Sequence, residues 1–560
     1  MCGCSLFAEY TVQFNCGSGA GDIPAQTVKA GQTAEPVQVP EQEGYVFEGW
    51  YQDAALTQPW NLETDKVSSN LTLYASWDRD TKDEISNVGN DKDFSTFKTP
   101  GSQEAAYDYR TFFRPSVDGI EQPYVGDPMP YYEDGIYYIY YLKDGGDSYN
   151  HSIYLTTTTD FLTYTEYDDP ILEASRSGGQ DGWIGTGSVV KVNGSYYFFY
   201  TGHSDSVTME YKEKIMVAVG STPTSFEKME GWELTPPEEL GQKTDFRDPQ
   251  AYYDAQSGTI TLTVTASQEG KARILKFTLS EDLQSVKYDG IIFTDEEGEF
   301  WNLECSDTFQ IGDTWYLTYS AQDDTLWYAT ASTPYGPYGE PARLDGKLFY
   351  AAKHVENGEN CYMVGWARRS ESVSSTSDVS GWAGNLVVQK LVQNQNGSLV
   401  LTPVETLVES FSLRRPLSVK ETHIALSSES LYSYQDVFHC YESFLLSGEF
   451  SYSGTGSFGL SFYYNDKDDK KKLISISPSD GKVQLQFNEG NTLIAETAVE
   501  LMPGETYGFT YIQEGSVGVF YLDGKAALTV RLYGVSGKPI QLFAEQNEVL
   551  FTSLRQYTKP

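Results

Sequence analysis

A motif that recurs five times along the middle of the chain constrains the fold more than any other feature. Each copy is a turn followed by a short, mostly aromatic strand, and the turn residues are Gly135, Gly194, Gly258, Gly312 and Asn360. They are separated by 59, 64, 54 and 48 residues. A period near fifty residues built of short strands and turns is typical of a β-propeller with one four-stranded sheet per blade. The sequence therefore predicts five blades within residues of about 105–408.

The chain on both sides of the repeat is also rich in strand patterns. Residues 409–560 contain strand candidates that begin at Phe458, Lys482 and Val517, with irregular spacing and Gly, Asn and Asp turns. This texture favours an antiparallel sandwich. Residues 1–78 read as a small β module, and the polar residues 79–104 read as a linker. The predicted fold class is all-β, with a five-bladed β-propeller, a C-terminal β-sandwich and a small N-terminal β-grasp-like module.

Composition agrees with this fold and excludes two classes of function. Aromatic residues make up 14% of the chain, and the 42 tyrosines suit half-buried strands. The net charge of −40 argues against a nucleic-acid partner, because phosphate binding requires clustered Lys and Arg. No apolar run approaches the roughly 20 residues that span a bilayer.

Three acids stand at similar distances before the repeat turns. Asp127 lies eight residues before Gly135, Asp248 ten before Gly258, and Glu304 eight before Gly312. The innermost strand of each propeller blade lines the central channel, so these acids are expected to converge. Three buried carboxylates repel one another and cost desolvation energy, which is hard to reconcile with a structural role. We interpret them as catalytic residues, and their chemistry requires no metal or cofactor.

Other residues near these positions are candidates for substrate binding. The residue that corresponds to the acids is Thr186 in the second blade and Ala352, beside Lys353, in the fifth. Lys353 either binds substrate or pairs with an acid. Trp183, Trp301 and Trp366 are candidate platforms on which a substrate could stack, although burial between blades is the commoner fate of Trp. Arg247 offers a rigid fork of donors that could orient the carboxylates or a substrate.

The local motifs around the acids resemble those of glycoside hydrolase family 32, the sucrose and fructan hydrolases. They are Val-Gly-Asp127-Pro-Met-Pro, Asp-Phe-Arg247-Asp248-Pro and Trp-Asn-Leu-Glu304-Cys305, and Arg-Asp-Pro and Glu-Cys are signatures of that family. The family combines a five-bladed propeller with a β-sandwich, and the resemblance spans about 105–560. One departure is clear. The family's first motif is Asn-Asp-Pro-Asn-Gly, whereas Gly126 and Met129 stand here in place of both asparagines.

The resemblance implies a retaining glycoside hydrolase that releases fructose from β-fructosides such as sucrose, inulin or levan. Asp127 would form the covalent fructosyl–enzyme, and Glu304 would act as acid and then as base. Asp248 would hold sugar hydroxyls at the transition state. Cys305 follows Glu304 in a strand, so we expect its side chain on the opposite face. His151 is interpreted as structural.

Two alternatives to a hydrolase remain open at this point. A fructosyltransferase would pass the fructosyl group to a sugar, and a carbohydrate-binding surface protein would have lost catalysis. A related arabinosidase or xylosidase fold is disfavoured by Glu304-Cys305. Linkage, chain length and the choice of exo or endo attack stay undetermined.

The N-terminal residues indicate an accessory module and a location. The segment Glu-Gly-Tyr-Val-Phe-Glu-Gly-Trp-Tyr at 43–51 resembles the Listeria–Bacteroides repeat, a β-grasp module of bacterial surface proteins. Its family role is adhesion or spacing. Cys2 or Cys4 either carries a lipid, as in a processed lipoprotein, or is an ordinary thiol. We therefore expect an extracellular or cell-surface protein whose partner is an oligo- or polysaccharide substrate.

Overall fold

The structure is a computed structural model that describes most of the 560 residues. The residues outside its description are 1–7, 18–20, 22, 40–44, 55–57, 80–108, 117–123, 145–150, 176–178, 207, 242–244, 297–299, 370–380, 420–422, 428–431, 466–468 and 488–491. Cys2, Cys4 and nearly all of the predicted linker 79–104 therefore lie outside the described residues. The chain forms two compact units, one with residues 1–91, 411–417 and 555–560, the other with 92–410 and 418–554. Within the described part of the chain, no helix is long and apolar enough to cross a membrane.

The N-terminal residues form one five-stranded sheet in the order β2-β1-β5-β3-β4. Its strands are β1 (Glu9–Asn15), β2 (Gln26–Lys29), β3 (Tyr45–Tyr51), β4 (Pro59–Trp60) and β5 (Leu71–Arg79). The pair β1–β5 is parallel and the other pairs are antiparallel. Val12, Trp50 and Leu73 are buried on one face, where they make a small core. The indole Nε1 of Trp77 donates to the Cys16 carbonyl oxygen at 2.8 Å and ties the last strand to the end of the first.

The next twenty strands form the five antiparallel blades that the repeat predicts. The first two blades contain β6 (Tyr124–Glu133), β7 (Ile136–Asp144), β8 (Ile153–Thr158) and β9 (Thr165–Glu166), then β10 (Trp183–Val192), β11 (Ser195–His203), β12 (Glu213–Thr222) and β13 (Ser225–Leu234). A 3₁₀ turn, Glu238–Leu240, follows. The third blade contains β14 (Phe246–Asp254), β15 (Thr259–Gln268), β16 (Lys271–Ser280) and β17 (Val286–Thr294).

The last two blades complete the propeller. They contain β18 (Glu304–Ile311), β19 (Thr314–Ser320), β20 (Leu326–Ala331) and β21 (Ala342–Arg343), then β22 (Phe349–Glu356), β23 (Cys361–Arg369), β24 (Gly381–Gln393) and β25 (Leu399–Thr402). The aromatic repeat strands are the second strands of the blades, and the three acids lie on first strands. The fifth and first blades are joined where β24 pairs with β6 through Gly384 and Val125.

The C-terminal part forms the predicted sandwich of two sheets. A short helix, α1 (Glu405–Ser410), precedes it. Its strands are β26 (Leu413–Arg415), β27 (Ile424–Ser427), β28 (Ser433–His439), β29 (Ser443–Tyr452), β30 (Phe458–Asn465), β31 (Lys470–Ser477), β32 (Lys482–Phe487), β33 (Thr492–Ala498), β34 (Thr506–Glu514), β35 (Val517–Leu522), β36 (Ala526–Arg531), β37 (Pro539–Ala544) and β38 (Glu548–Thr558). One sheet has the order β26-β38-β29-β34-β35-β36 with β27 on β38, and the other has β28-β37-β30-β31-β32-β33.

Contacts between propeller and sandwich are polar as well as apolar. The Glu514 carboxylate accepts hydrogen bonds from the backbone N–H groups of Arg110, Thr111 and Phe112, at 2.6–3.1 Å. Asp345, fully buried, accepts from both the backbone N–H and the hydroxyl of Thr529. Buried polar groups of this kind are costly unless paired, so they fix the relative placement of the sandwich and propeller surfaces that they join.

Candidate active site

The same irregularity interrupts the first strand of every blade. The pairing register with the second strand shifts between Gly126/Met129, Gly185/Gly187, Arg247/Gln250, Glu304/Asp307 and Tyr350/Lys353. Such β-bulges leave residues unpaired and re-aim their side chains. The first residues inside the bulges are Asp127, Thr186, Asp248, Cys305 and Ala351. Four of these have φ values between 40° and 57°, in the left-handed region, and Thr186 does not.

The bulges correct three sequence predictions. Glu304 does not occupy the position of Asp127 and Asp248: it precedes its bulge, as Arg247 does, and Cys305 is the structural counterpart of the two aspartates. In the fifth blade the counterpart is Ala351, not Ala352. The prediction that Cys305 points to the opposite face is wrong, because its Sγ lies 3.7 Å from the Thr186 hydroxyl at the site. The alternation of side chains on which that prediction relied holds only for regular strands.

A cavity of about 320 Å³ opens on these bulges. All three predicted acids line it, so the structure brings Asp127, Asp248 and Glu304 to one site. The predicted substrate-binding residues Thr186, Arg247 and Trp183 also line it. The remaining lining residues include His151, His203, Glu213, Cys305, Tyr350 and Trp382.

Asp127 is held by two donors from different blades. Trp366 donates its indole N–H to Oδ1 at 3.2 Å, and Thr186 donates its hydroxyl to Oδ2 at 3.1 Å. Burial, together with the charges of Asp248 and Glu304, raises the pKa of Asp127 to about 7, against the lowering effect of the two donors. The carboxyl therefore changes charge near neutral pH, and its orientation is fixed in either state.

Glu304 has a donor on each carboxyl oxygen. Arg247 donates an Nη2 hydrogen to Oε1 at 3.1 Å, and the Tyr350 hydroxyl donates to Oε2 at 2.6 Å. Burial opposes the charge on Arg247, but Glu213, Glu304, Asp248 and Asp245 outweigh it and raise the pKa of that guanidinium. The Glu304 side chain keeps 30% of its surface exposed, more than the 16% of Arg247. Glu304 is therefore accessible to a ligand and to solvent.

Asp248 is the most enclosed of the three acids, with 3% of its surface exposed. Its Oδ2 accepts the backbone N–H of Cys305 at 2.7 Å, and its own N–H donates to the Thr201 hydroxyl at 2.9 Å. Burial raises the pKa of Asp248 to about 6, with Arg247 acting against it. Its free carboxyl oxygen lines the cavity beside the two other acids.

Two predicted substrate-binding residues lie behind the cavity wall. Lys353 is 2% exposed and donates to the Gly187 carbonyl at 3.0 Å and to Gln250 Oε1 at 3.2 Å. Trp366 is fully buried, and its indole N–H donates a hydrogen bond to Asp127. In this structure neither presents a surface on which a sugar could stack or bind.

Trp382 explains the departure from the family's first motif. A Cβ placed on Gly126 would come within 2.2 Å of the Trp382 Cη2 atom, so the indole occupies the space of any side chain at 126. The ring also stacks on His151, with centroids 4.5 Å apart and planes 12° from parallel. Trp382 and His151 therefore form a wall of the cavity beside Gly126. Sequence reasoning missed Trp382, because only the pairing of the fifth and first blades brings it to Gly126. It interpreted His151 as structural, and the structure places this residue on the cavity wall.

His203 and Glu213 are further residues that the sequence did not reveal. Glu213 accepts hydrogen bonds from Arg247 and from the backbone N–H of Phe246, and it lies 3.4 Å from His203 Nδ1. The hydrogen bond with Glu213 is the main cause that raises the pKa of His203. Glu213 thus anchors Arg247 on the side away from Glu304. Within the described residues, no cluster of three or more His, Cys, Asp or Glu side chains could hold a metal ion.

Comparisons with known proteins concern two regions of the chain. The model for the glycosyl hydrolases family 32 N-terminal domain matches residues 121–403, and the model for the Listeria-Bacteroides repeat domain matches residues 10–76. Sucrose-6-phosphate hydrolase of Escherichia coli is 23% identical over 407 residues, which are 67% of this chain and 79% of that protein. A crystal structure of fructan 1-exohydrolase IIa from Cichorium intybus has a TM-score of 0.63 at 16% identity and covers 82% of this chain and 98% of its own.

The N-terminal module has separate relatives. A protein named as a membrane protein from Evansella cellulosilytica is 41% identical over 102 residues, 18% of this chain and 14% of that protein. This similarity supports the prediction of an accessory module and concerns the module alone.

Proposed function

Because the chain belongs to glycosyl hydrolase family 32, whose enzymes are of β-fructosidase type, we propose that it releases fructose from β-fructosides with retention of configuration. The substrates are sucrose or fructans of the inulin or levan type. The observation that carries this proposal is the pairing of Asp127 and Glu304 in one cavity. Each of these acids has both carboxyl oxygens fixed by donors.

Asp127 is the proposed nucleophile. Its two donors hold the carboxylate in one orientation and disperse its charge, which favours attack from a fixed position on the anomeric carbon. The oxocarbenium-like transition state brings positive charge to a site with three acids. That charge counteracts the burial and the repulsion from Asp248 and Glu304, which raise the pKa of Asp127, so substrate distortion and nucleophile ionisation favour each other.

Glu304 is the proposed acid and base. Its partial exposure lets it protonate the leaving oxygen and then accept a proton from water. Tyr350 and Arg247 hold both oxygens and so fix the direction of transfer. Asp248 keeps one oxygen bonded to the Cys305 N–H, and we assign its other oxygen to hydroxyls of the fructosyl ring.

The wall of Trp382 and His151 supports a substrate that rests on a flat ring surface beside the nucleophile. Aromatic faces bind the C–H surfaces of sugars, and Trp183 extends this wall, since its ring lies 5.9 Å from that of His151. Where the family binds one side of the sugar through an asparagine, we assign that side to contact with these aromatic rings. We expect selectivity among fructosides to depend on Trp382.

Product analysis tests the proposal. The enzyme is incubated with sucrose, inulin and levan, and proton NMR follows the first-formed fructose, which should have the β configuration. Asp127→Ala should abolish turnover, and Glu304→Ala should regain part of its second step with added azide. An α product would overturn the assignment of Asp127, and an absence of fructose from all three substrates would refute the substrate class.

The N-terminal module supports a location at the cell surface, in line with the membrane protein that it resembles. We assign this module a role in adhesion or spacing. Its test is the distribution of the protein between cell-wall, membrane and medium fractions of the organism that produces it. Recovery of the full-length protein in the cytosolic fraction alone would contradict the assignment.

A further inference from the structure

One pair of residues on neighbouring strands contacts both proposed catalytic acids. Tyr350 on β22 and Trp366 on β23 are directly opposite each other in the register, with ring centroids 5.4 Å apart. Tyr350 donates to Glu304, and Trp366 donates to Asp127. The positions of Tyr350 and Trp366 therefore determine the positions of the Glu304 and Asp127 carboxyl groups.

The two residues that follow Trp366 are held by an arginine of the sandwich. Arg531 ends β36, and its side chain is buried with 1% of the residue exposed. It donates from Nη2 to the Ala367 carbonyl at 2.9 Å and from Nε to the Arg368 carbonyl at 3.1 Å. These are the first two carbonyls beyond Trp366. The sandwich therefore fixes β23 next to the residue whose indole N–H donates to Asp127.

Further contacts make this attachment rigid. Arg531 also donates to Asn385 Oδ1 from both Nη atoms and to the Ser516 hydroxyl, all at 3.0 Å. Asn385 lies on β24, next to β23, and is fully buried. Arg368 in turn covers the aromatic pair, its guanidinium carbon being 4.8 Å from the Tyr350 ring centroid and 5.1 Å from that of Trp366. A planar guanidinium with five fixed donors suits this purpose in a way that Lys cannot.

We propose that Arg531 is a positioning residue for catalysis, through which the sandwich holds the Tyr350–Trp366 pair and hence the spacing of Asp127 and Glu304. The inference rests on the proposed roles of those two acids. In this proposal the sandwich contributes to turnover through Arg531, which does not itself bind the substrate. A displacement of about 1 Å at a reacting group costs about 100-fold in rate, so a loose β23 lowers kcat far more than it changes KM.

The test compares Arg531→Met with Thr529→Val on the same strand. Thr529 lies two residues earlier, on the same face of β36, and is equally buried. Its hydroxyl donates to Asp345 at 2.7 Å and accepts from Gln389 of β24 at 3.4 Å, and neither partner lies on β22 or β23. Arg531→Met should lower kcat at least tenfold with KM nearly unchanged, and Arg531→Lys should fall between it and wild type. Thr529→Val should lower the melting temperature while kcat per folded molecule stays the same. Equal losses of kcat in the Met and Val variants would overturn the proposal.

A double-mutant cycle distinguishes positioning from general stability. Trp366→Phe removes the N–H that reaches Asp127, so the loss caused by Arg531→Met should largely disappear in that background. Additive losses of kcat would show that Arg531 does not act through Trp366.

Hydrogen exchange provides a readout that needs no activity. Arg531→Met should accelerate exchange in the peptide that covers Cys361–Arg369, and Thr529→Val should not. If the wild type failed to cleave β-fructosides, this exchange pattern would still support the attachment of β23, while unchanged exchange would refute it.

Discussion

The substitution Asp127→Asn should stabilise the protein while it abolishes turnover. The pKa of Asp127 is raised from 3.8 to about 7 by burial and by the two neighbouring acids. Since the folded-state pKa lies above the unfolded one, the native state binds this proton more tightly. The free energy of unfolding therefore falls as pH rises from about 4 to about 7 and stays low above that.

The size of the effect follows from the shift. One pKa unit corresponds to 1.36 kcal/mol, so a shift of about three units sets an upper limit of roughly 4 kcal/mol at pH 8. Asp127 and Asp248 titrate as a coupled pair, which lowers the expected gain for one substitution to roughly 2–4 kcal/mol. Asparagine keeps an acceptor for Trp366 or Thr186 and accepts a positive φ readily, so little is lost. At pH 4 the gain should vanish.

Thermal unfolding measured by circular dichroism between pH 4 and pH 8 checks this prediction. Unfolding entropy for a unit of several hundred residues is about 1 kcal/mol/K, so the melting temperature should rise by about 2–4 °C at pH 8. Asp134→Asn is the matched control, because Asp134 lies on the same blade with φ 50° but is exposed. Parallel melting curves of wild type and Asp127→Asn across the pH range would refute the reasoning.

Three further predictions concern the cavity and the N-terminal module. Gly126→Asn should lower both activity and melting temperature, because its Cβ would collide with the Trp382 indole, and adding Trp382→Ala should recover melting temperature relative to Gly126→Asn alone. A double variant that melts below both single variants would contradict this packing. Cys305→Ser should keep kcat within a few-fold of wild type, because burial raises the pKa of the thiol and the residue bonds to Asp248 through its backbone N–H. Complete loss of turnover with intact folding would show that the thiol acts chemically. Deletion of residues 1–80 should leave turnover of soluble sucrose nearly intact, and a large fall in kcat of the folded remainder would assign the module a part in catalysis.

Much of the fold could be predicted from the sequence because it repeats. The five aromatic strands after turns predicted the blades, since each strand must bury both faces between neighbours. The irregular C-terminal strands predicted a sandwich, and the two sheets β26-β38-β29-β34-β35-β36 and β28-β37-β30-β31-β32-β33 have that arrangement. Asp127 and Asp248 could be placed on inner strands because each precedes its turn by a nearly constant distance.

The sequence predictions that were wrong or missing depend on side-chain direction and on pairing between strands that are distant in sequence. Lys353 and Trp366 were predicted at the sugar, but side chains one residue from a bulge can face either way, and both lie behind the wall. Trp382 is far from Gly126 in sequence and reaches it only where β24 pairs with β6. No periodicity in a single sequence reports such a pairing.

The bulges also explain how three acids fit around one cavity. If Glu304 occupied the same bulge position as Asp127 and Asp248, three carboxylates would converge at one level of the channel. Instead it stands one residue earlier, at the level of Arg247, which bonds to it at 3.1 Å, and Cys305 takes the bulge position as a neutral group. The Cys305 N–H then neutralises part of the Asp248 charge. A shift of one residue thus gives the two proposed catalytic carboxylates different partners. Glu304, the proposed acid and base, has the Arg247 cation beside it, whereas Asp127, the proposed nucleophile, has the neutral donors Trp366 and Thr186.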